Sequence, residues 1–293
     1  MDAETEIELV LDLKADLGEG PIWDAERKRL VFVDIMRGHI HEFDPATGQD
    51  QVIDVGRPVG SVALSVRGDW VAAAHGGFYR VNPDSGRIVQ MAAVETDSPE
   101  NRMNDGYVDR AGRFWAGTMS MVKRRRAGSL YRLNPDGTVT RQITGVTTSN
   151  GLDWSLDGKL MYYVDTGVNR VDVFDFDEAR GDLSGRRPFV HVPALAGKPD
   201  GMVVDAEGFI WLALWKGGAV HRYTPGGRLD RVLKLPAQLV TKCAFGGANL
   251  EDLYITTARA GLDAEAAARQ PMAGGVFRAR PGVRGRPASR FAA

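Results

Sequence analysis

Asn150-Gly151-Leu152-Asp153-Trp154-Ser155 and Asp200-Gly201-Met202-Val203-Val204-Asp205 share one pattern: a polar residue, a glycine, an apolar run and a polar stop. Asn104-Asp105-Gly106-Tyr107-Val108-Asp109 and Glu19-Gly20-Pro21-Ile22-Trp23-Asp24 fall into the same register. Gly60 and Lys242 hold the equivalent position in two weaker copies. Successive positions are 41, 44, 46, 50 and 42 residues apart. A near-constant period of this size predicts a closed ring of small sheets, and equivalent positions in a ring converge on its axis.

The intervening sequence supports strands. Arg29–Asp34 and Lys159–Asp165 are rich in β-branched and aromatic residues. Each copy then meets a polar turn, such as Arg67-Gly68, Arg110-Ala111-Gly112, Asp157-Gly158 or Glu207-Gly208. A second strand follows with one large aromatic residue: Trp70, Trp115, Tyr163 or Trp211. Later turns such as Asp44-Pro45-Ala46-Thr47-Gly48 and Asn134-Pro135-Asp136-Gly137 join further strands. Four strands per copy and six copies make an all-β, six-bladed β-propeller, expected as a single domain over residues 1–293. Ile7–Leu13 alternates in polarity and precedes the first copy, so it is expected to supply the outer strand of the last blade, beside Gly275–Arg278. One short helix is expected over Leu262–Arg269. The segment from about 280 to 293 is basic and rich in Gly and Pro, the composition of a flexible tail.

Composition narrows the function classes. A formal net charge of −1 gives no global attraction to nucleic acid or anionic membrane. One cysteine, Cys243, excludes an internal disulfide and fits a reducing compartment. No basic n-region with an apolar run opens the chain, and no apolar stretch has membrane-spanning length, so a cytoplasmic protein is expected. There is no Gly-x-Ser-x-Gly elbow, His-Glu-x-x-His pair or phosphate-binding glycine loop. The five histidines are scattered.

What remains is the axial set. Two carboxylates and two amides at one mouth offer oxygen ligands to a divalent cation, and without a cation two buried carboxylates are costly. The lack of His and Cys argues against a closed structural zinc site. Ca²⁺, Mg²⁺ and Mn²⁺ suit the donors, and an open catalytic Zn²⁺ remains compatible.

Leu17-Gly18-Glu19-Gly20-Pro21-Ile22-Trp23, Asn101-Arg102-Met103-Asn104-Asp105-Gly106, Ser149-Asn150-Gly151-Leu152-Asp153-Trp154 and Pro199-Asp200-Gly201 resemble the senescence marker protein / gluconolactonase / luciferin-regenerating enzyme family. Trp115-Ala116-Gly117-Thr118-Met119 and Gly128-Ser129-Leu130-Tyr131-Arg132 are similar to it as well, and the motifs occur in order from about Leu11 to Phe277. The resemblance implies one catalytic divalent metal and hydrolysis of a sugar lactone. It implies Glu19, Asn150 and Asp200 as metal ligands, Asp200 also as general base, and Arg102 and Asn104 as substrate contacts. A small-molecule partner is then expected, with no nucleic acid or membrane, and a monomer or weak homo-oligomer. Another metal-dependent ester or phosphotriester hydrolase, or a non-catalytic metal-stabilised binding propeller, would use the same residues. The loop Ser120–Arg126 departs from the family's pattern: Lys123, Arg124, Arg125 and Arg126 stand where some members carry acidic residues. The loop is expected either as a solvated basic surface or as a charge that steers acidic sugar lactones toward the mouth.

Overall fold

The computed structural model describes residues 5–293. Six four-stranded antiparallel sheets form a ring, the six-bladed propeller that the repeat predicts. Blade 1 comprises Gly18–Asp24, Arg29–Asp34, His39–Phe43 and Asp50–Asp54 from the axis outward. Blades 2 to 5 repeat this order from inner strands Val59–Leu64, Asn101–Val108, Ser149–Trp154 and Lys198–Val204. Blade 6 runs Val240–Gly246, Asp252–Thr257 and Val276–Ala279, and its outer strand is Ile7–Leu11 from the other end of the chain. Ile7 pairs with Ala279 and Leu9 with Phe277, so the N-terminal strand closes the ring as expected. A short helix, Ala264–Arg269, interrupts blade 6, with Asp263 capping it through Ala266 N.

The core lies between blades. The second strands supply Trp70, Trp115, Tyr163 and Trp211, each no more than 1% exposed. Two tryptophans are pinned by the carboxylate that stops the neighbouring inner strand. Trp115 Nε1 donates to Asp109 Oδ2 at 2.9 Å, and Trp211 Nε1 donates to Asp205 Oδ2 at 2.9 Å. The polar stop in the repeat is therefore structural: it fixes the hairpin turn and orients the largest core side chain.

The segment 280–293 overturns the expectation of a flexible tail. It lies across the ends of the inner strands, at the face opposite their first residues. Gly285 N donates to Leu250 O (2.8 Å) and Ala206 N to Arg284 O (2.9 Å). Arg286 binds Asp153 and Val204 O, and Arg290 binds Asp24 and Ser65 O. Phe291 N donates to Leu64 O, and Phe291 itself is fully buried with Ala63, Phe78, Val108 and Phe114 between blades 2 and 3. Two arginines meeting carboxylates and one buried aromatic ring outweigh the local Gly/Pro composition. Beneath Lys242 the channel shrinks to a void of about 10 Å³, walled partly by Arg286 and Ala288. The tail thus covers the ends of the inner strands opposite their first residues.

Candidate functional site

Every inner strand breaks register with its neighbour at the repeated position. The breaks fall between Glu19 and Ile22, Val59 and Ser61, Met103 and Gly106, Ser149 and Leu152, Pro199 and Met202, and Val240 and Lys242. A bulge turns the strand locally and re-aims side chains. Here the bulges occur in all six blades at one level of the channel. Glycines allow the strands to approach: a Cβ on Gly151 would lie 2.6 Å from Asp200 O, and one on Gly60 would lie 2.4 Å from Asn104 O.

Two further carboxylates hold the loops that lead into the site. Asp34 accepts from Asp16 N (2.9 Å) and Leu17 N (3.0 Å), just before Glu19. Asp165 accepts from Thr147 N and Thr148 N, both at 3.0 Å, just before Asn150.

Glu19, Arg102, Asn104, Asn150 and Asp200 are all buried, none more than 5% exposed. Glu19 accepts from Gly20 N at 2.7 Å. Arg102 Nη1 donates to Asn104 Oδ1 (2.6 Å) and Met103 O (2.9 Å). Asn104 Nδ2 donates to Ser149 O at 2.6 Å, which ties blade 3 to blade 4 beside Asn150. Asn150 Nδ2 donates to Thr166 Oγ1 at 3.0 Å, and that hydroxyl donates to Pro199 O. This orients the amide and leaves Asn150 Oδ1 buried with no hydrogen-bond partner among the described residues.

Electrostatics follow from this geometry. Burial, and secondly the Asp105 carboxylate, push Glu19 up to about 8; Lys242, Gly20 N and Arg102 oppose the rise. Burial, then Glu19 and Asp105, push Asp200 well above the carboxylate range, against the Asn150 side chain and Lys242. Burial also lowers Arg102 to about 10, while Glu19 and Asp200 hold it up. Among the described residues, neither Glu19 nor Asp200 has an ion-pair partner within 4.0 Å. Two buried carboxylates without an ion-pair partner among the described residues, beside one unpartnered amide oxygen, fit a divalent cation. Among the described residues, no group of three or more His, Cys, Asp or Glu side chains is arranged to hold a metal. The donor set that fits is instead two carboxylates and an amide.

Arg102 does not pair with the nearby Asp105 or Asp109. Asp109 is taken by Arg113 and Trp115, and Asp105 by Lys242. The Arg102 guanidinium therefore retains donors for a bound molecule. The basic loop Ser120–Arg126 lies on the same face, because Ser120 pairs with Asn101 at the start of the blade 3 inner strand. Met121–Arg126 are exposed, and Arg124 pairs with Glu100 at 2.7 Å. Two residues that sequence reasoning passed over are Thr166 and Lys242. Thr166 follows the stop of a second strand with no repeated signal. Lys242 was visible as an odd occupant of the repeated position, but without a role.

Residues 17–259 match the family described as the SMP-30/Gluconolactonase/LRE-like region. The chain belongs to that family. It is similar to regucalcin of Pongo abelii, 44% identical over 279 residues and covering 93% of each chain. Its fold superposes on a luciferin-regenerating enzyme with a TM-score of 0.93 at 31% identity, covering 99% of this chain and 100% of the other. A calcium-binding regucalcin from Agrobacterium tumefaciens gives a TM-score of 0.94 at 30% identity, covering 99% and 98%. Family membership supports a lactonase-type function and a small-molecule substrate. Among the described residues, no helix is long and apolar enough to cross a membrane.

Proposed function

We propose that this protein is a divalent-metal-dependent hydrolase that opens a sugar lactone to its open-chain acid. One observation carries the reading: Glu19, Asp200 and Asn150 Oδ1 are buried at the repeated level of the inner strands, where both carboxylates act on Arg102, and among the described residues neither Asn150 Oδ1 nor the Arg102 guanidinium has a carboxylate or other side-chain partner beyond Asn104. The calcium-binding relative and the lactonase family support it.

Glu19, Asn150 Oδ1 and Asp200 would hold the cation. When bound, the cation supplies Lewis acidity to the ester carbonyl and to water. Hydrolysis forms a bond from water oxygen to the carbonyl carbon and breaks the bond from that carbon to the ring oxygen. Asp200 accepts the water's proton, an effect typically worth ~10²–10⁴-fold. The proton is returned to the departing ring oxygen, which leaves as a hydroxyl. Arg102 and Asn104 orient the substrate: the guanidinium presents a planar fork to ring and hydroxyl oxygens, and its contact with Asn104 Oδ1 fixes that fork. Burial of the whole set keeps bulk water from competing for these donors.

The test is a lactone panel followed by proton release. Metal-free protein and protein reloaded with Ca²⁺, Mn²⁺, Zn²⁺ or Mg²⁺ are compared with Asp200→Ala. Turnover only after reloading, lost by about 10³-fold or more in Asp200→Ala with the fold intact, is expected. Equal turnover by metal-free and reloaded protein would overturn the reading.

A further inference from the structure

Lys242 has no part in the scheme above, yet it is only 2% exposed and reaches into the same channel. Its stem crosses Gly201, where a Cβ would lie 2.4 Å from Lys242 Cγ. Its ammonium donates to Asp105 and, at 3.3 Å, to Gly106 O, and lies 5.5 Å from the Tyr107 ring centroid. Lys242 belongs to blade 6 and Asp105 to blade 3, which face one another in a ring of six. The pair therefore spans the channel, one residue further along the blade 3 strand than Asn104. Asp105 Oδ2 is buried without a hydrogen-bond partner among the described residues. Both charges act on Glu19 and on Asp200, with opposite signs.

We propose that the Lys242–Asp105 pair sets the cation affinity of this site: the ammonium weakens binding, the carboxylate strengthens it, and their contact keeps Asp105 out of the ligand set. The proposal rests on the metal reading above. It makes Lys242 and Asp105 positioning residues with opposed effects, in place of a simple structural tie across the channel.

The experiment is titration calorimetry of the chelator-treated full chain with Mn²⁺, and in parallel with Ca²⁺. Wild type is compared with Lys242→Met, Asp105→Asn and the double variant. Wild type is expected to bind one ion. Lys242→Met should bind on the order of tenfold more tightly or better, and Asp105→Asn on the order of tenfold more weakly or worse, because each removes one full charge from a poorly screened neighbourhood. The double variant, a neutral pair of similar shape, should return to within about threefold of wild type. Thermal unfolding of the metal-free proteins is read separately. Both single variants leave a buried charge unpaired and lose stability together. Affinities moving in opposite directions while stabilities move in one is a result that a merely structural pair does not give. Lys242→Gln, which keeps a donor to Asp105, replaces Lys242→Met if that variant does not fold, with the same sign expected. Parallel shifts in affinity, or no shift, overturn the proposal alone. Failure of wild type to bind either ion removes the metal reading and the proposal with it.

Discussion

Replacing Phe291 by Ala tests whether the C-terminal segment is part of the folded ring. The ring of Phe291 is 0% exposed among Ala63, Phe78, Val108 and Phe114, and its backbone bridges Leu64 O and Val66 N. Removing a fully buried phenylalanine costs about 3–5 kcal/mol, combining lost burial with the cavity left behind. For 293 residues, an unfolding entropy of about 2.1 cal/mol/K per residue sums to roughly 0.6 kcal/mol/K. A loss of about 4 kcal/mol then lowers Tm by about 6–7 °C. Scanning calorimetry of wild type and Phe291→Ala under identical metal conditions reads this directly. Arg290→Ala, which removes a partly exposed ion pair with Asp24, should cost much less. A Phe291→Ala protein melting within about 1 °C of wild type would refute the packed tail.

Two further outcomes follow from the site. Gly201→Ala places a Cβ 2.4 Å from Lys242 Cγ and 2.8 Å from Thr241 O, so it should destabilise by about 1–3 kcal/mol, seen as a lower denaturation midpoint. In metal-free protein, Glu19 titrates near 8 instead of 4.5 because of burial and Asp105. The folded state then keeps a proton that the unfolded chain releases, so this contribution is whole below pH 4.5 and is lost as pH rises to about 8. The loss is at most about 1.4 kcal/mol per pH unit within that window. Thermal melts of metal-free wild type and Glu19→Gln across the window should show the steeper decline in wild type, and matching slopes would contradict it.

The fold was legible because a glycine-marked register recurs, and the polar stops and core aromatics keep their offsets from it. The N-terminal strand was legible because its alternation had no neighbour but the last blade. Glu19, Asn104, Asn150 and Asp200 could be singled out as one cluster because the ring converts equal register into spatial convergence, whereas Arg102 lies off that register and came only with the family resemblance. The bulges that aim them were not legible, since a one-residue slip between strands leaves no compositional trace. Nor was the role of Lys242, whose partner Asp105 lies 137 residues away on a facing blade. The tail misled for a related reason. Gly, Pro and Arg describe its local stiffness, but its order comes from Asp24, Asp153 and the gap that Phe291 fills.

Anomalous diffraction from crystals grown with Mn²⁺ tests the central claim most directly. One strong peak bounded by a Glu19 carboxylate oxygen, Asn150 Oδ1 and an Asp200 carboxylate oxygen, each at a bonding distance of about 2.0–2.6 Å, is the predicted result. A map with no peak at the channel mouth, while Glu19 and Asp200 remain buried there, would contradict the account.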